Sequence, residues 1–156
     1  MVSGVSNLLS YMFRRVNQPP RPADRIPPAL RTRLDVAREA LLSVHKALLE
    51  YERARYERTM GPIESAGRLL QLVIHDPWFA WLHPMTELVV QMDELTTGKE
   101  PVPHGAPEAL LAQAKGLFNP SEEGDDFQRQ YYEAMQQAPA VVLAHANATR
   151  SLADLD

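Results

Sequence analysis

Cysteine is absent from the 156-residue chain. This excludes disulfides, thiolate metal sites and a cysteine nucleophile, and it is compatible with a reducing, cytoplasmic compartment. Glycines number only seven, and the nearest candidates for a phosphate-cradling loop, Gly98 and Gly105, lack the required spacing. No apolar run reaches the ~20 residues that a helix needs to span a bilayer, so no transmembrane segment is expected. Strand-period alternation is missing, as is any internal repeat. Ser43, Ser65 and Thr86 fall in helical segments without the strained turn or neighbouring base that would activate a hydroxyl nucleophile. Nothing in the chain marks an enzyme.

What is present is ordinary in amount and uneven in distribution. Apolar residues make up 45% and charged residues 23% of the chain, which suits one soluble domain with its own core. The net charge of −4 hides an asymmetry: residues 1–60 hold 11 Lys and Arg against 6 Asp and Glu, a net of +5, whereas residues 61–156 hold 5 against 14, a net of −9. Two parts of opposite sign attract, either within one chain or between copies. An anionic partner for the basic part is the alternative. Nucleic acid matches poorly, because the chain is acidic overall and its basic residues are not interleaved with aromatics.

The stretch His75 to Leu95, HDPWFAWLHPMTELVVQMDEL, holds both tryptophans and the longest mostly apolar run. Asp76 is placed to cap a helix, with Pro77 in its first turn. Trp78, Trp81, Leu82, Met85, Leu88, Val89, Met92 and Leu95 recur at steps of three and four and define one buried face. Pro84 predicts a kink or a restart.

Taken in order, Val5, Leu8, Leu9, Met12, Phe13 and Val16 form the stripe of a short amphipathic helix over residues 1–17, with Arg14 and Arg15 beside it. The charges follow the apolar residues, unlike a secretory signal. Its expected place is on its own bundle or a sister subunit, with a membrane surface or a partner protein as alternatives. A proline-rich linker occupies residues 18–28 and the bundle domain residues 29–156. Leu30, Leu34, Ala37, Leu41, Val44, Leu48 and Tyr51 alternate steps of four and three along a helix from Ala29 to Thr59, whose charged last turns are expected to project into solvent. Ile63 to Ile74 reads as a helix with Ile63, Ala66, Leu70 and Val73 inward. A loop follows Leu95, then a short helix over Pro107 to Phe118 and an acidic capping turn over Asn119 to Asp126. A last helix carries Phe127, Tyr131, Ala134, Ala138, Val141, His145, Ala148 and Leu152, bent at Pro139. The fold class that results is all-α, an up-and-down helical bundle of about four main helices with an extra N-terminal amphipathic helix.

Bundles hold metals and haem between facing helices, so each histidine carries a question. The Glu-x-x-His pairs of di-iron carboxylate sites are absent. His83 and Glu87 have a spacing that puts both on one helix face, and His145 lies on the apolar ladder of the last helix. If His45, His83, Glu87 and His145 converged, they would offer a site for a divalent metal or an axial haem ligand. Trp78 and Trp81, with His145, are the corresponding candidates for a small apolar ligand or cofactor in the core. A hydrogen-bonded core histidine and an aromatic core are the plainer alternatives.

The segment HDPWFAWLHPMTELVVQMDEL, together with FQRQYYEAMQQAPAVVLAHA, resembles a family of small bacterial α-helical proteins with a DPxFAWLxPLxxLIVxIDE-like segment after a long helix. The resemblance spans most of residues 30–150 and carries no established activity. Met85 and Thr86 stand where that pattern has a leucine and a polar residue, and His83 stands where it has an arginine, which argues against His83 as an essential ligand. The expected role is therefore non-enzymatic. The protein would act through protein contacts or self-association, with the N-terminal helix and the opposed charges as interface. Core binding of a metal, haem or apolar ligand, and membrane-surface attachment through Leu8, Leu9, Met12 and Phe13, are the alternatives.

Overall fold

The computed structural model describes residues 25–155, so the helix expected over residues 5–16 and most of the proline-rich linker lie outside the described residues. Every described element is helical: α1 (Pro28–Met60), α2 (Ala66–His75), a 3-10 helix (Pro77–Leu82), α3 (His83–Thr97), α4 (Ala106–Leu117), α5 (Asp126–Gln137) and α6 (Pro139–Ala153). The all-α class is as the periodicity predicts.

Helix α1 is the wall on which the rest is built. It is 33 residues long, starts with Pro28 in its first turn and ends where Gly61 takes φ 97°, a conformation open to glycine. Leu34, Ala37, Leu41, Val44 and Leu48 are buried along its ladder, and α6, α3 and α4 all pack against it. Two of its arginines fasten α3. The Arg38 guanidinium donates to both oxygens of Asp93, at 2.6 and 3.4 Å, and Arg31 donates to the Thr96 carbonyl at 2.8 Å near the end of α3. The basic and acidic parts of the chain thus meet inside one molecule at the Arg38–Asp93 pair.

The central stretch is two elements rather than one. Asp76 accepts from the Trp78 N–H at 2.8 Å and starts a single 3-10 segment, after which α3 begins at His83 with Pro84 in its first turn. The restart follows from the missing N–H of Pro84, which is harmless only at a helix start. The proposed face holds, and Phe79, outside that spacing, is fully buried as well.

Three expectations need correction. Only the final turn of α1, Arg58 to Met60, is exposed as expected; before it Glu52 is buried, and Tyr56 packs against Trp78 and Phe79 with ring centroids 5.4 and 5.6 Å away. In the α2 region, Ile63 and Leu72 are buried and Val73 half-buried, whereas Ala66 and Leu70 are exposed. The helix starts at the Ser65 cap, and its inward side is carried by Leu69, Leu72 and Val73 in place of Ala66 and Leu70. Finally, the last segment is two helices. Ala138 is extended (φ −127°, ψ 107°), because Pro139 disfavours helical geometry at the residue before it and has no N–H to continue the ladder. The apolar ladder nevertheless continues across the break, with Phe127, Tyr131, Ala134, Val141, Ala148 and Leu152 all buried.

Candidate functional site: an apolar groove beside two histidines

Helix α2 is the least covered element. Its sequence AGRLLQLVIH is rich in large aliphatics, yet only Leu72 is buried, and Leu70 and Ile74 are 56% and 50% exposed. They are one helical turn apart and so share a face. Between this face and the flanks of α1 and α3 runs a groove of about 600 Å³. Leu49 of α1 and Ala66, Leu69, Leu70, Val73 and Ile74 of α2 form its apolar walls, and His45, His83, Thr86 and Glu87 supply its polar groups.

The structure thus brings three of the four proposed metal-site residues, His45, His83 and Glu87, to one groove, but not into a ligand set. The His83 Nε2 lies 3.0 Å from the Val73 carbonyl. A carbonyl only accepts, so this nitrogen carries a proton and donates, which withdraws it from metal binding. Among the described residues, no three His, Asp or Glu side chains are grouped as a metal would require. His45 is held neutral, its pKa lowered first by burial and then by the charge of His83. Its buried Nε2 has no hydrogen-bond partner.

His145 is elsewhere and already engaged. Its Nδ1 lies 2.6 Å from the Tyr131 hydroxyl. Burial raises the tyrosine pKa and lowers that of the histidine, so the hydroxyl donates to a neutral imidazole. The Tyr131 ring in turn meets Phe127, and Phe127 meets Trp81, in successive centroid contacts of 5.8 and 5.9 Å. His145 is a hydrogen-bonded residue within an aromatic row, the plainer of the two readings, and it does not join His45 and His83 at the groove.

Trp78 and Trp81 both face a buried carboxylate, that of Glu52. Glu52 is 2% exposed, pairs with Arg55 at 3.2 Å and faces both indoles. Neither indole N–H meets hydrogen-bond geometry, so the indoles favour the charge only through their dipoles. Burial dominates and raises the Glu52 pKa, with Arg55 opposing it. Sequence spacing missed this residue because a glutamate near a helix end ordinarily faces water. The adjoining tryptophans were the available signal, since each needs a polar partner when buried.

A second, shallower hollow of about 490 Å³ lies at the α5–α6 break, lined by Met135, Gln136, Gln137, Ala138, Pro139, Val142, Leu143 and Ala146. Among the described residues no helix is long and apolar enough to cross a membrane. No protein family, characterised protein or solved structure matches the chain.

Proposed function

We propose that the protein is a non-enzymatic helical module that acts through protein contacts, self-association included, and that the groove between α2 and the flanks of α1 and α3 is its docking surface. The observation that carries this reading is the exposure of Leu70 and Ile74 on the wall of that groove. A large apolar face left open to water on a helix is unfavourable by ~25 cal/mol per Å² unless something covers it. The shape suits an amphipathic helix, which inserts apolar side chains at steps of three and four into such a groove. A resident of the cytoplasm and a member of the small bacterial family it resembles is the setting in which we place it.

The test is light scattering across a concentration series on the full chain and on a Leu70→Glu/Ile74→Glu variant. The full chain should rise above its monomer mass of 17.6 kDa, and the variant, with unchanged circular dichroism, should stay lower at each concentration. Identical masses throughout would remove the groove from the interface.

One observation favours a second reading, a small molecule with an apolar body and a hydrogen-bonding head. The unpartnered His45 Nε2 lies beside apolar walls, and the volume is within the ~300–1,000 Å³ usual for ligand pockets. Native mass spectrometry of untreated protein would show an added mass that His45→Phe abolishes.

A further inference from the structure

We infer that the groove's occupant is α2 of a second copy of this chain, the two α2 helices lying antiparallel across a two-fold axis at Leu70, so that each fills the other copy's groove. The inference rests on the docking role proposed above and names the partner. Three features support it.

The first is a shape that complements itself. Ala66, Leu70, Val73 and Ile74 recur at steps of four and three along the side of α2 that faces the groove, which is the pattern a helix needs to sit in such a groove. Helix α2 thus both borders the groove and has the form of an occupant for it. Its stripe is small at the start, Ala66 and Gly67, and large further on, at Leu70 and Ile74. A two-fold contact brings one patch against itself, so large side chains must meet small ones. The antiparallel arrangement does this, because an axis at Leu70 sets Ile74 of each copy over Ala66 of the other. A parallel one would set Ile74 against Ile74. Gly67 has no role in the single chain: its φ is not positive, and a Cβ there would touch only the Ser65 Oγ, at 3.8 Å. Glycine disfavours a helix relative to alanine, and close approach of another backbone is a reason to find it in one.

The second is extent. The apolar surface continues beyond α2, since Val90, 53% exposed, follows Glu87 by three residues and His83 by seven and so shares their side of α3. Leu70, Ile74 and Val90 are three of the six large apolar side chains that stand exposed among the described residues. The groove is lined by ten residues, fewer than the ~20–30 a side of a standard interface. The dimer is therefore a weak, reversible one whose population follows concentration. The third is charge. Glu87 is the single carboxylate among the lining residues, which include no lysine or arginine, so two copies bring little like charge together.

Because the chain has no cysteine, a disulfide can form only between introduced residues. Full-length Ala66→Cys and Ile74→Cys proteins, mixed in equal amounts at a concentration where scattering shows dimer, should give the mixed disulfide under mild oxidation ~10-fold or more faster than either protein alone links to its own copy. Leu70→Cys, on the axis, should link to its own copy ~10-fold or more faster than a Gln113→Cys control on α4. Gly67→Gln, which adds bulk without charge at an exposed position, should lower the dimer fraction several-fold at equal concentration with circular dichroism unchanged. Equal rates for mixed and self-linked disulfides, slow linkage of Leu70→Cys, a dimer fraction untouched by Gly67→Gln, or a monomer mass at every concentration would each overturn the two-fold arrangement. If any of the first three came with a mass still lowered by Leu70→Glu/Ile74→Glu, only the arrangement would be wrong. If that variant also left the mass unaltered, the docking role itself would fail.

Discussion

At the scale of single residues the molecule holds several titratable groups away from their ordinary behaviour, and three have consequences for pH. His45 and His145 are both held below the usual imidazole range, first by burial. The unfolded chain therefore takes up protons at these positions near pH ~6.5, before the folded chain does. Their contribution to stability is complete above that pH and is lost as pH falls through the folded-state values. The melting temperature should drop between pH 7.5 and 5, and His45→Gln should flatten that drop. An equally steep profile in the variant would show that His45 has no part in it. Glu52 works in the opposite sense. Its raised pKa means that the charged carboxylate is disfavoured in the fold, so its ionisation lowers stability as pH rises past ~4.3. Glu52→Gln keeps the shape of the side chain and removes the buried charge. At pH 7.5 it should melt no lower than the unaltered protein, and any gain should vanish at pH 4. A fall of several degrees at pH 7.5 would instead show that the pairing with Arg55 outweighs burial.

Among the elements, the one whose start is most fully specified is α5. Asp125 accepts from the Gln128 N–H at 2.8 Å while the Gln128 side chain accepts from the Asp125 N–H at 3.0 Å, a complete capping box. Asp125→Ala should cost about 1 kcal/mol in denaturant unfolding. A loss below a few tenths would mean that packing of Phe127 and Tyr131 alone sets the start of α5. The opposite extreme is α2, capped by Ser65 through the Arg68 N–H at 3.1 Å but laid on the molecule by little more than Leu72 and the half-buried Leu69 and Val73. A helix of ten residues is too short to be stable on its own. Its face therefore depends on what it touches, and for this reason α2 is the element where the groove forms.

Across the whole molecule, stability should be concentrated along α1. Leu48 is fully buried at the wall shared by the packed helices, whereas Leu70 is more than half exposed. Leu48→Ala should cost ~2–5 kcal/mol and Leu70→Ala within ~0.5 kcal/mol, both measured by denaturant unfolding. Comparable losses at the two positions would mean that α2 is covered in solution by a tightly held partner or segment. The opposed charges of the two parts of the chain act at this scale too, through contacts such as Arg38 to Asp93 that join α1 to α3.

What the sequence by itself determined is the set of rods and their buried ladders. Steps of three and four place Leu34, Leu41 and Leu48, or Phe127, Tyr131 and Ala134, on one side of the helix that contains them, and proline and capping residues mark where helices start. These are local constraints, carried by spacing alone. The exposed face of α2, the burial of Glu52 and the separation of His145 from His45 and His83 were decided only by the tertiary structure. Each depends on which rod lies against which, and periodicity is silent on that: it defines an apolar face but does not say whether a neighbour covers it.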